Sequence, residues 1–314
     1  MRPPRTGFRR EAHQRDRRRG GDEAVRTGGV VTTKGSSAPG AVPAAPRASR
    51  AGRNLPAAVT VGVAMGAAII ASLVLVPQAW VVIVAVAMAV ATWEVSAAVA
   101  TTGVRVALAP LLVGGQAMVW LGWVFGTAGV LDAFAATVVV CMIWRLVGGA
   151  QGYLRDVAVS SFVAAWVPLF GSFAVLLLTE DHGAARVACF MVGVVCSDVG
   201  GYAIGAAFGK HPMVLSISPK KSWEGLAGSM LFGMVGGALT VSLLLHASPF
   251  LGALFGALIV VVATVGDLVE SQVKRDLGRK DMGDLLPGHG GLMDRLDSVL
   301  PSAVVSWLVL SLLV

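Results

Sequence analysis

Long apolar runs dominate this chain after residue 56, separated by short polar or glycine-containing breaks. A run near 20 residues suits a spanning helix, because the hydrocarbon core of a bilayer is about 30 Å thick and a helix rises about 1.5 Å per residue. The pattern predicts about nine such helices, over 57–76, 79–100, 104–125, 128–147, 157–179, 184–207, 226–247, 249–269 and 299–314. The last is short, and Gly103 and Gly126-Thr127-Ala128 are thin separators. The expected fold is therefore all-α, a polytopic integral membrane protein without an internal repeat.

Composition sharpens the reading. The 314 residues are 55% hydrophobic and only 14% charged, where soluble domains run near 25% charged. That excludes an ordinary cytosolic enzyme, a disordered chain and a nucleic-acid-binding module. Cys141, Cys189 and Cys196 stand in apolar contexts and form no CxxC pair, so neither a disulfide scaffold nor a zinc site is expected.

The net charge of +7 is unevenly spread. Residues 1–53 hold 13 basic against 4 acidic side chains, which leaves the rest of the chain at −2. This arm has almost no large apolar residues, cannot offset chain entropy by burial, and is expected to be a disordered, solvated tail touching anionic lipid. No apolar run follows its charged start closely enough for a signal peptide. Three regions result: the arm at 1–53, N-terminal transmembrane helices over 54–189, and a second transmembrane region over 190–314 that holds two polar loops.

Orientation follows from the basic residues. With the arm in the cytoplasm, the inside loops hold Arg105, Arg145 with Arg155, Lys210 with Lys220 and Lys221, and Lys274 through Arg295. The outside connections carry no Lys or Arg, although Arg186 sits close by.

Two of these inside loops carry chemistry. Eight of the 12 basic residues beyond the arm lie between Lys210 and Arg295, and seven of the 14 acids lie between Asp267 and Asp297. A transporter more often keeps its ionisable groups near mid-membrane. The first cluster reads Ser197-Asp198-Val199-Gly200-Gly201-Tyr202, then Gly209-Lys210, then Ser218-Pro219-Lys220-Lys221-Ser222-Trp223-Glu224-Gly225. Asp198 interrupts an apolar run and needs a partner or a cation. Gly200, Gly201 and Gly205 leave room for close backbone approach. Ser222 is placed to cap a new helix, with Glu224 in its first turn. That helix N-terminus beside Lys220 and Lys221 suits a phosphate; the plainer alternative is that the lysines are only positive-inside anchors.

The second cluster runs from Gly266-Asp267 through Glu270-Ser271, Lys274-Arg275, Lys280-Asp281 and Pro287-Gly288-His289-Gly290-Gly291 to Asp294-Arg295-Leu296-Asp297. Asp267, Glu270, Ser271 and Lys274 share one helical face. The glycine-rich stretch can form an anion-binding nest. His289 either orients a phosphate, relays a proton, or simply bonds a backbone carbonyl. Isolated aspartates suit a hard cation such as Mg²⁺, and interleaved Lys and Arg suit phosphate oxygens. The combination describes a Mg²⁺-dependent phosphoryl or nucleotidyl transfer; the alternative is a salt-bridged hairpin. Glu94, alone in an apolar helix, pairs with Arg105 or Arg145, or lines a lipid pocket.

At these residues the chain resembles the phosphatidate cytidylyltransferase (CDP-diacylglycerol synthase) family. The family signature Ser-x-x-Lys-Arg, Lys-Asp, Pro-Gly-His-Gly-Gly, Asp-Arg-x-Asp is present as Ser271 with Lys274-Arg275, Lys280-Asp281, Pro287 to Gly291, and Asp294-Arg295-Leu296-Asp297. Ser218 to Gly225 resembles a second family motif, with Ser222 where Thr is usual. Ser197 to Tyr202 resembles the family's Asp-Thr-Gly-Ala-Tyr segment, with Val199 and Gly201 as departures. The match covers roughly 190–300 and is only general over 57–189.

The resemblance implies that CTP and phosphatidate give CDP-diacylglycerol and pyrophosphate, at a cytoplasm-facing site in the inner membrane. It implies Mg²⁺ or another divalent cation held by Asp267 and Asp294, with Asp281 as a third candidate. Lys220 and Lys221 would hold CTP phosphates, and Ser218 and Ser222 would bond nucleotide oxygens. Lys274, Arg275 and Arg295 would neutralise phosphatidate and the developing pyrophosphate. Asp198, Glu224 and Lys280 join the binding set, and His289 joins the catalytic one. A homodimer is also implied, with no interface legible. A CTP-dependent polyprenol-type lipid kinase is the nearest rival; the Asp-Gly-x-x-Ala-Arg motif of CDP-alcohol phosphotransferases is absent.

Overall fold

The computed structural model describes residues 76–214, 218–285 and 290–313. The arm, nearly all of the first expected span (57–76), and the Leu286-Pro287-Gly288-His289 stretch lie outside the described residues. Within them the chain forms helices α1 (Pro77–Ala100), α2 (Leu108–Leu146), α3 (Tyr153–Thr179), α4 (Gly183–Phe208), α5 (Trp223–Leu244), α6 (Pro249–Asp276), the short α7 (Met293–Leu296) and α8 (Val299–Leu313). Seven stretches are long and apolar enough to cross a membrane, by length and composition, among the described residues. In hydrocarbon every backbone polar group must be satisfied internally, so apolar runs of this length form helices. The protein is an all-α multi-pass membrane protein.

The 39-residue α2 is a hairpin. Gly126 has φ 64° and ψ −147°, outside the helical region. Gly122 faces Val130 and Gly114 faces Thr137, so 108–125 and 127–146 run back along one another. The break expected at Gly126 is therefore real, and α2 supplies two membrane-length segments. In α3, Ala165–Leu169 widens into a π-turn around the buried Pro168, because proline cannot donate to the helical ladder and its ring crowds the preceding turn. Pro168 packs against Gly115 of α2.

Polar contacts mark the two ends of the bundle. At one end the Trp307 indole donates to Glu180 (3.2 Å). At the other, the buried Asp156 carboxylate clasps the α2–α3 connection: it accepts the Arg145 Nε–H (2.7 Å) and the Arg105 backbone N–H (3.1 Å). Arg145 thus belongs to Asp156 and not to Glu94.

Close packing of α4, α5 and α6 positions the site. Gly200 lies against Gly228 and Phe232, and Gly205 against Gly225, so a side chain at Gly200 or Gly228 would push α4 from α5. Gly233 and Gly237 of α5 meet Gly256 and Gly252 of α6 in the same way. One feature departs from the sequence reading. A two-stranded antiparallel sheet, β1 (Pro212–Val214) with β2 (Ser218–Ser222), joins α4 to α5, with Pro212 paired to Ser222 and Val214 to Ser218. As the shared face of Asp267, Glu270, Ser271 and Lys274 requires, α6 continues beyond the apolar run to Asp276, its polar residues pairing along the helix, Ser271 with Asp267 and Lys274 with Glu270.

Candidate active site

A cavity of about 420 Å³ opens where the C-terminal half of α4, the end of β2, the start of α5, the C-terminal part of α6 and the α7–α8 junction converge. Its walls carry Asp198, Lys221, Ser222, Asp267, Asp294, Arg295 and Asp297. The two motif clusters, separate in sequence, face each other across one space.

The helix entry is built as expected. Ser222 is the N-cap of α5, and its hydroxyl accepts the Gly225 N–H at 3.1 Å. Its extended backbone ends β2 and carries Lys221 over the cavity, where the Lys221 ammonium pairs with the Asp267 carboxylate. Ser218 and Lys220 lie earlier on β2. Glu224 turns elsewhere: it accepts the backbone N–H groups of Lys210 and His211, both at 3.2 Å, and meets His211 Nδ1 at 2.5 Å. That carboxylate ties the end of α4 to the start of α5 and is not among the cavity walls.

On α6, Asp267 accepts the Ser271 hydroxyl at 3.4 Å. One turn on, Lys274 bridges Glu270 (3.1 Å) and Asp294 (2.9 Å). Glu270 is fully buried. Asp294 is held from several sides: besides Lys274, Met282 N–H donates at 3.0 and 3.1 Å and Gly291 N–H at 2.8 Å. Asp281 is exposed, and its carboxylate and that of Asp294 both flank Gly290. Arg275 and Lys280 are exposed and are not among the cavity walls, whereas Arg295 is. His289 lies outside the described residues.

Sequence reasoning left Asp297 and Glu270 out of the site. The Asp297 carboxyl stands beside both Asp267 and Glu270, and Asp198 stands close enough to interact with Asp267 and Lys221. The signal was present: Asp297 lies one turn beyond Asp294, and Glu270 one turn beyond Asp267.

Like charges crowded together repel, and a cation relieves the repulsion. Asp198, Asp267, Asp297 and Glu270 crowd together, with Lys221 paired to Asp267 and Lys274 to Glu270. Among the described residues no three His, Cys, Asp or Glu side chains form a ready-made metal cage. Mg²⁺ does not need one, since it is usually held by one or two carboxylates together with water and substrate phosphates. The acid set therefore fits a divalent cation brought in with a polyphosphate, with Asp267 and Asp297 the carboxylates that face the cavity and each other.

Fold and site together define a multi-pass membrane protein whose acid-and-base cavity is suited to handling phosphates at one end of the bundle. The comparisons carry this further. The sequence profile of the Cytidylyltransferase family matches residues 56–313, and the chain belongs to that family. It is 55% identical over 278 residues to the phosphatidate cytidylyltransferase of Mycobacterium tuberculosis, covering 84% of this chain and 85% of that one. The enzyme of the same name from Mycobacterium leprae is 54% identical over 280 residues, covering 84% and 90%. The Helicobacter pylori enzyme of that name is 41% identical over 137 residues, 44% of this chain and 51% of its own.

Proposed function

We propose that this protein is a nucleotidyltransferase that makes CDP-diacylglycerol and pyrophosphate from CTP and phosphatidate. The observation that carries this reading is the meeting of Lys221 with Asp267 across one cavity, which joins both sequence clusters. The family membership and the names of the mycobacterial relatives support the substrate pair.

In the reaction a phosphatidate oxygen attacks the α-phosphorus of CTP, a new P–O bond forms, and the bond to the β-phosphate oxygen breaks as pyrophosphate leaves. Phosphatidate already carries a nucleophilic oxygen near neutral pH, so no general base is required and His289 need not act as one. The protein's task is to position two polyanions and neutralise them. Lys221 and the N-terminus of α5 take the nucleotide phosphates, and Arg295, at the cavity wall, takes the lipid phosphate or the leaving pyrophosphate. Asp267 and Asp297 would hold a divalent cation, whose positive charge would be its contribution to bringing the phosphates together. Lys274, enclosed by Glu270 and Asp294, fixes the acids and does not meet substrate directly. The charge bias of the loops supports a cytoplasmic position for this end of the bundle. Phosphatidate then enters sideways from the inner leaflet, its acyl chains remaining in the bilayer.

The test is purified protein in detergent with phosphatidate, Mg²⁺ and CTP labelled at the α- or the γ-phosphate. Label from the α-position appearing in lipid supports the reading. Label from the γ-position would make the protein a CTP-dependent lipid kinase instead.

A further inference from the structure

Glu94, on α1, is not among the cavity walls, and no role in the reaction is assigned to it above. It is 2% exposed. Its Oε2 accepts the backbone N–H of Met293 at 2.8 Å, across 199 positions of sequence. Two glycines close over the same carboxylate. A methyl group at Gly291 would stand 2.7 Å from Oε2 and 2.8 Å from Oε1, and one at Gly283 would run into the same group. The residues that cover Glu94 also hold Asp294: Gly291 N–H and the N–H of Met282, next to Gly283, both donate to Asp294.

We propose that Glu94 is a positioning residue for the reaction, setting the height of the backbone at Met282–Gly283 and Gly291–Met293 so that its amides aim Asp294, and through it Lys274, at the acids of the cavity. This rests on the reading of the cavity as the catalytic site. The physical case is steric and electrostatic together. Gly283 and Gly291 have no side chain, which lets the backbone settle directly on the carboxylate. Among the described residues the Met293 N–H donates to this carboxylate and Oε1 has no hydrogen-bond partner, so a buried acid that needs donors holds on to the loop that supplies one. A loop released from this anchor loses the geometry of Asp294, and displacement by about 1 Å at a reacting site costs about a hundredfold in rate.

The test uses the full chain, purified in detergent, with E94A, E94Q and G291A beside the wild type. Turnover is expressed per CTP-binding site, counted by equilibrium dialysis of labelled CTP, so that misfolded molecules drop out. Glutamine keeps an acceptor for Met293 and should stay within about threefold of the wild type. E94A should lose about ten- to a hundredfold in kcat per binding site, with KM for CTP within about threefold, because Lys221 and Ser222 belong to the end of β2 and not to this loop. G291A, which forces the same loop off an intact Glu94, should match E94A. Wild-type turnover per binding site in E94A overturns the inference, as does an E94Q loss equal to that of E94A. A wild-type enzyme that binds CTP but forms no CDP-diacylglycerol would instead overturn the proposed reaction.

Discussion

Lys221 and Asp267 form an ion pair across the cavity, one at the end of β2 and the other on α6. Neither is buried deeply, with side-chain exposures of 25% and 32%. An ion pair of this exposure contributes little to stability, so its value lies in placing a cation and an anion where phosphates arrive.

D267N should therefore abolish turnover while leaving the fold intact. Loss of one pre-organised charge at a transferring phosphoryl group costs about 10²–10³ in kcat. CDP-diacylglycerol formation and the thermal unfolding midpoint, measured on one preparation, separate the two effects. Unchanged kcat in both D267N and D297N would remove the cation site from this wall.

Lys274 lies between Glu270 and Asp294 and compensates a fully buried carboxylate. K274M should lose about 3–5 kcal/mol of stability, because removing one partner leaves a buried charge unpaired. The double variant K274M/E270Q should recover part of that loss. Thermal unfolding in detergent reads both.

The Arg145–Asp156 pair offers a control at the same end of the bundle. Both side chains are almost fully buried, and Nη2 lies 2.7 Å from Oδ2. D156A should cost about 3–5 kcal/mol by the same reasoning. The molecules that remain folded should keep wild-type kcat, since neither residue lines the cavity.

Gly228 faces the Gly200 carbonyl and Ile204. G228L should force α4 and α5 apart, costing about 1–3 kcal/mol from overpacking and lowering kcat, because Asp198 and Ser222 ride on those two helices. G252A, at the α5–α6 crossing nearer the opposite end, should destabilise with less effect on kcat. Thermal midpoints and initial rates check both.

The motif residues were legible because their chemistry is local. Asp267, Glu270, Ser271 and Lys274 share a face by helical period alone, and the structure pairs them along it. Ser222 reads as a helix cap from its neighbours and serves as one. Glu224 did not separate from the binding residues, since its partners, Lys210 and His211, come from the end of α4 by way of a sheet that sequence periodicity did not reveal. Glu94 was harder still. A lone carboxylate in an apolar helix announces a need for a partner, but its partner is a backbone N–H, which carries no sequence signature.

The sequence alone determined that the chain is helical and crosses the membrane many times, because in hydrocarbon only continuous apolar helices satisfy their own backbone. It also determined which acids and bases collect at one side, through loop charge and motif spacing. Only the tertiary structure decided that Asp297 joins Asp267, that Lys274 is enclosed by two carboxylates, and that Glu94 lies beneath the loop holding Asp294. Those pairings depend on how closely glycine-lined helices approach and on where a loop's amides point, and packing in three dimensions sets both.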